Sequence, residues 1–164
     1  MKDSSTYRDE FIHHVQRNEG ILFKILSLYT DFPEDREDLK QEILLQAWKS
    51  YPNFAQKSKF STWLYKVALN TSLNFIKKNQ KGTEALEDHL EVEHTNQSGS
   101  DSELLYLIIK GFNEVDRMLI TLHLEGFKNL EIAEMTGMTS NHVNVKLHRL
   151  KNLIIEKFKK LNYA

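Results

Sequence analysis

Apolar residues in this chain recur every three to four positions, and no stretch of useful length alternates apolar with polar residues as a half-buried strand would. Leu39, Ile43 and Ala47 stand four apart, with Leu44 and Trp48 widening the stripe, so the spacing predicts a helix with one inward face. From Ser61 onward Leu64, Val67, Ala68, Thr71 and Phe75 predict the buried face of a second helix. Val143, Leu147, Leu150 and Ile154 repeat the pattern near the C-terminus. The two prolines, Pro33 and Pro52, each fall where one helix should give way to the next. The expected fold class is all-α.

The pattern stops between residues 84 and 103. That segment holds seven acidic residues and no lysine or arginine, together with the polar run Thr95-Asn96-Gln97-Ser98-Gly99-Ser100, too hydrophilic to bury anything. We read it as a flexible acidic linker between two small helical domains, residues 1–83 and 104–164. The total charge of −1 over 164 residues conceals this arrangement, which runs +3, −7 and +3 along the three segments. With no cysteine there is neither a disulfide framework nor a thiolate metal site. Met1 to Gln16 lacks the apolar core of a signal peptide, and no run approaches the roughly 18–20 apolar residues of a membrane helix. The expectation is a soluble cytoplasmic protein with no direct membrane insertion.

Charge segregation points to a partner. Lys49 to Thr83 carries seven lysines among aromatic side chains and no acidic residue. Lysines interleaved with Phe, Trp and Tyr suit a surface that follows a phosphate backbone and stacks unpaired bases. On a helix, Lys66, Asn70, Asn74 and Lys77 share one face of this segment.

The C-terminal domain carries the parts of a helix-turn-helix between Asn129 and Val143. Ala133 is small where two helices must cross, and Gly137 can take the left-handed conformation that ends the first helix. Thr139 or Ser140 can cap the second. Opposite its apolar stripe, that second helix presents His142, Val145, Lys146 and Arg149, which could enter a major groove, with Asn141 and Asn144 near its start. An ordinary helical hairpin is the plainer alternative, disfavoured by the basic outer face and the tail Lys151, Lys157, Lys159 and Lys160. His142 and His148, six residues apart, point to different faces of a helix, so no metal site is expected there.

The order of elements goes beyond a generic DNA binder. Asp35-Arg36-Glu37-Asp38-Leu39-Lys40-Gln41-Glu42-Ile43 is followed by Ala47-Trp48, by Tyr51-Pro52-Asn53-Phe54, and by Phe60-Ser61-Thr62-Trp63-Leu64-Tyr65 through Ala68-Leu69-Asn70. This resembles domain 2 of bacterial RNA polymerase sigma factors, and Glu131 to Arg149 resembles sigma domain 4. The short form without a domain 3 is similar to the extracytoplasmic-function (ECF) group of the sigma-70 family. The resemblance implies a transcription initiation factor, not an enzyme, needing no cofactor. Asp38, Gln41 and Glu42 match the face that docks on the β′ clamp helices of core RNA polymerase, where carboxylates suit arginine-rich partners. Phe54 and Asn70 match the pocket for a base flipped from the −10 promoter element, with Lys57, Lys59, Lys66 and Lys77 holding the displaced strand and Trp63 either stacking on DNA or bracing the core. Asn141, His142, Asn144, Val145, Lys146 and Arg149 match the −35 reading helix. Asn144 and Val145 depart from the lysine and serine frequent there, so base preference does not carry over from relatives. The implied partners are core RNA polymerase, through its β′ clamp helices and β flap, promoter DNA, and an anti-sigma factor.

A linker of 20 residues reaches at most about 66–72 Å when extended, against about 55 Å for a spacing of roughly 16 base pairs. Its acids either mimic nucleic acid, mask the basic domains, or serve as a solvated spacer. A stand-alone helix-turn-helix regulator is the competing function. It leaves the Asp38/Gln41/Glu42 face without a purpose. An enzyme finds little support, for the His13/His14 and His89/His94 pairs lack any catalytic spacing.

Overall fold

In the computed structural model, residues 3–80 and 99–162 are described, and among them regular structure is entirely helical. The chain divides into two compact units, Met1–Glu84 and Ala85–Ala164. Residues 84–98 of the expected linker lie outside the described residues, and with them five of its seven acids and the proposals for their role.

The first unit contains α1 (Ser4–Arg17), α2 (Glu19–Tyr29), α3 (Pro33–Ser50), a short 3-10 turn (Tyr51–Asn53) and α4 (Phe60–Gln80). Pro33 opens α3, where its missing N–H costs nothing, and Glu34 and Asp35 complement the helix dipole. Pro52 sits in the 3-10 turn that ends the helix. Leu39, Ile43 and Ala47 are fully buried, as the spacing predicted, where α3 packs on α2 and α4. The inward face of α4 differs in detail. It is made by Leu64, Tyr65, Ala68, Leu69, Thr71 and Ser72, while Val67 and Phe75 are only half-buried. Two short polar side chains widen that face at little cost. The hydroxyls of Thr71 and Ser72 donate to the carbonyls of Val67 and Ala68 at 2.7 and 2.8 Å, so neither is buried unsatisfied. Trp48 is not part of the buried stripe: it remains 38% exposed and packs on Phe11 of α1.

The second unit contains α5 (Asp101–Lys110), α6 (Glu114–Leu124), α7 (Asn129–Thr136) and α8 (Ser140–Asn162). The acids Asp101 and Glu103, which the charge count assigned to the linker, belong to the first turn of α5. Ser100 and Glu103 form a reciprocal capping box there: the Glu103 N–H donates to Ser100 Oγ at 3.3 Å, and the Ser100 N–H to Glu103 Oε2 at 3.2 Å. Leu119, Leu122, Ile132, Val143 and Leu147 close the core of this unit. Ile154, expected in the same stripe, is only half-buried.

Candidate nucleic-acid and polymerase interface

The turn between α7 and α8 follows from one glycine. Gly137 stands at φ +73° and its N–H donates to the Ala133 carbonyl at 2.9 Å, closing α7 in the left-handed conformation the sequence anticipated. Of the two candidate caps, Thr139 acts: its Oγ1 accepts from the His142 N–H at 3.2 Å. α8 thereby leaves the turn with Asn141, His142, Asn144, Val145 and Arg149 exposed, and with Val143, Leu147 and Leu150 buried.

Two members of the expected DNA-reading set, Lys146 and Asn144, make polar contacts within the unit. Lys146 Nζ donates to Asp116 Oδ1 of α6 at 2.8 Å, with side chains only 28% and 19% exposed. Asp116 Oδ2 also accepts from Asn113 Nδ2 at 2.8 Å, and the Asp116 N–H donates to Asn113 Oδ1, which caps α6. Asn144 Oδ1 accepts from Asn129 Nδ2 at the start of α7. α8 is thus tied to α6 through Lys146 and to α7 through Asn144. Neither Asp116 nor Asn129 was recognised as a site residue from the sequence. Further along α8, Lys157 of the basic tail lies 5.7 Å over the Phe112 ring.

In the first unit Asp38, Gln41 and Glu42 line a groove of about 640 Å³ between α3 and α4. The groove's other wall includes Asn70, Asn74 and Lys78, with Leu45 and Phe75 contributing apolar surface. Glu42 Oε1 accepts from Gln46 Nε2 at 2.8 Å, which fixes one carboxylate oxygen on the rim. The structure therefore brings Asn70 into the same groove as Asp38, Gln41 and Glu42. Phe54, grouped with Asn70 by the sequence, is not among the lining residues.

Phe54 instead joins an aromatic cluster. Its ring stacks at 15° on Tyr51 with centroids 6.2 Å apart, meets Phe60 edge-on at 5.8 Å, and touches Trp63 at 5.1 Å. Trp63 also contacts Tyr51 and Phe60, so it braces this cluster. Just after Phe54, Ala55 and Gln56 have φ of 45° and 51°. Left-handed backbone costs a non-glycine residue about 1–2 kcal/mol, so the surroundings must impose this loop. Lys57, Lys59, Lys66 and Lys77 are all exposed.

With this geometry in place, comparison with known proteins is decisive. The family model for sigma-70 region 2 matches residues 14–82, and the model for sigma-70 region 4 matches residues 102–154. The chain belongs to the sigma-70 family, in its ECF group. Among relatives of this sigma-70 chain, the ECF RNA polymerase sigma factor SigG of Mycobacterium tuberculosis is 43% identical over 70 residues, 43% of this chain. That match spans only 16% of the relative's own length. The RNA polymerase sigma factor SigV of Bacillus subtilis is 23% identical over 158 residues, covering 94% of both proteins. In fold, the chain is similar to the sigma factor RpoE of Bartonella quintana, solved with the anti-sigma factor NepR, at a TM-score of 0.65 and 18% identity, over 94% of this chain and 97% of that one. Among the described residues no helix is long and apolar enough to cross a membrane.

Proposed function

We propose that this sigma-70 family chain is a transcription initiation factor that binds core RNA polymerase in the cytoplasm and directs it to specific promoters, without catalysing a reaction itself. The observation that carries this reading is the presence of both sigma-70 regions, in order, within one chain. Domain 2, within residues 1–83, engages the polymerase clamp through Asp38, Gln41 and Glu42 on the rim of the α3–α4 groove. Their carboxylates and amide suit guanidinium donors, and Leu45 and Phe75 in the same groove offer apolar contact to a helical partner. Phe54, Lys57, Lys59, Trp63, Lys66, Asn70 and Lys77 serve the unpaired −10 strand.

Domain 4, within residues 104–164, reads the −35 element with the exposed Asn141, His142, Val145 and Arg149 of α8. Val145 can pack on a thymine methyl and Arg149 can bond phosphate or guanine. Asn144 and Lys146 act from braced positions. Lysine has three N–H donors, and Asp116 takes one, so Lys146 retains capacity for a phosphate. The β flap of the polymerase and an anti-sigma factor complete the proposed partners. The Bartonella neighbour, solved with an anti-sigma factor, supports the latter.

Size-exclusion of the purified chain with bacterial core RNA polymerase tests the assignment. Co-elution of the wild type, lost in Asp38→Ala/Gln41→Ala/Glu42→Ala, is the expected outcome. A folded wild type that fails to co-elute, yet binds duplex DNA tightly alone, would instead establish a stand-alone regulator.

A further inference from the structure

We infer that α1, through Tyr7 and Phe11, is a positioning element for the −10 loop, holding Phe54 in place by way of Tyr51. The inference rests on the reading of Phe54 as part of the base pocket. Tyr7 and Phe11 lie before residue 14, where the match to sigma-70 region 2 begins, so that match assigns them nothing.

The connection is a chain of rings. Tyr7 and Phe11 meet Tyr51 with centroids 4.9 and 5.0 Å apart, and both also meet Trp48, at 5.8 and 5.1 Å. On its other side Tyr51 stacks on Phe54. One turn further along α1, His14 lies nearly parallel to Phe60, 4.9 Å away, and Phe60 is the edge-on partner of Phe54. Phe54 is thus approached from α1 by two routes, one through Tyr51 and one through Phe60.

The loop needs such support. Its own backbone bonds are few: the Phe54 N–H donates to the Tyr51 carbonyl at 3.1 Å, and the Lys57 N–H to the Phe54 carbonyl at a long 3.4 Å. Ala55 and Gln56 meanwhile sit in the left-handed region, which an unconstrained loop would leave. Tyr51 is only 8% exposed, so what it transmits comes from packing and not from DNA contact. Packed side chains with discrete arrangements carry such coupling from one element to another. A base pocket whose aromatic platform wanders loses discrimination even when every contacting residue is present.

The test uses the full chain, reconstituted with bacterial core RNA polymerase and given bubble templates randomised across the unpaired −10 strand. Hydrogen exchange of residues 54–59 is followed in parallel. Tyr7→Ala/Phe11→Ala should bind core as the wild type does, exchange faster in the loop, and lose about tenfold in base enrichment at one position, the equivalent of a lost aromatic contact. Tyr7→Phe keeps the ring and should retain enrichment. Should the double variant fail to fold, Tyr7→Leu preserves apolar volume without the ring, and the same readouts apply. Unchanged enrichment and unchanged loop exchange in the folded variant would overturn the inference. Phe54→Ala separates the two levels of the argument. Enrichment surviving Phe54→Ala would refute the base-pocket reading, and loop exchange alone would then decide whether α1 is a brace.

Discussion

Asp116→Asn should loosen α8 by about 2 kcal/mol. The ion pair it breaks is neither a surface pair worth about 0–1 kcal/mol nor a deeply buried one worth about 3–5 when a single partner is removed. At 2.8 Å, with side chains 28% and 19% exposed, it lies between these limits. Asparagine keeps the shape but offers one oxygen to the two donors that Asp116 serves, so either the Lys146 or the Asn113 bond is lost together with the charge assistance. A negative charge in the first turn of α6 is lost as well, worth roughly 0.3–1 kcal/mol. Both tryptophans, Trp48 and Trp63, belong to the first unit, so their fluorescence does not report on this change. Hydrogen exchange of α8 does. The slowest amides between Val143 and Leu150 should exchange about thirtyfold faster, the kinetic equivalent of about 2 kcal/mol. A double-mutant cycle with Lys146→Met isolates the pair, and its coupling should persist at high salt because the partners are largely shielded from solvent. A coupling energy below about 0.5 kcal/mol would show the pair to be independent, and would refute the view of Lys146 as a brace.

Other expectations follow from single features of the structure. Gly137→Ala should destabilise by about 1–2 kcal/mol in urea unfolding, from backbone strain alone, since nothing lies within 4 Å of the added methyl group; an unchanged midpoint would remove the glycine's role in the turn. Ser100→Ala should cost about 1 kcal/mol of α5 stability by opening the capping box, seen as faster exchange at Glu103 and Leu104; equal protection would place the start of α5 elsewhere. Burial, with the nearby Lys151 charge adding to it, holds the His123 imidazole below its usual pKa of 6.5. The unfolded chain then binds a proton that the folded one resists, so this contribution to stability, present above pH 6.5, is lost as pH falls through and below that value. His123→Gln should flatten that part of the stability profile, and an unaltered slope would argue against it.

What the chain declares locally it also declares in sequence. Periodicity placed α3 and α8, because a helix buries every third or fourth residue whatever it packs against. The prolines and Gly137 marked boundaries for reasons confined to their own backbone. Charge counting misled at Asp101 and Glu103, since the acids of a helix's first turn look the same as those of a linker until the cap is seen. The rotated face of α4 escaped notice for a similar reason: Ser72 reads as polar, yet its hydroxyl is satisfied by its own helix and can be buried.

Contacts between distant positions were another matter. Nothing near Lys146 announces that Asp116, thirty residues earlier, will hold it. Nothing in Tyr7 or Phe11 shows that their rings will meet Tyr51 and through it reach Phe54. By itself the sequence determined the helices, their turns, the two-domain order and the family those motifs resemble, because these depend on side-chain type at fixed short spacing. Only the tertiary structure decided which exposed residues are left to meet a partner and which are already engaged, because packing between helices sets that choice at positions far apart in the chain.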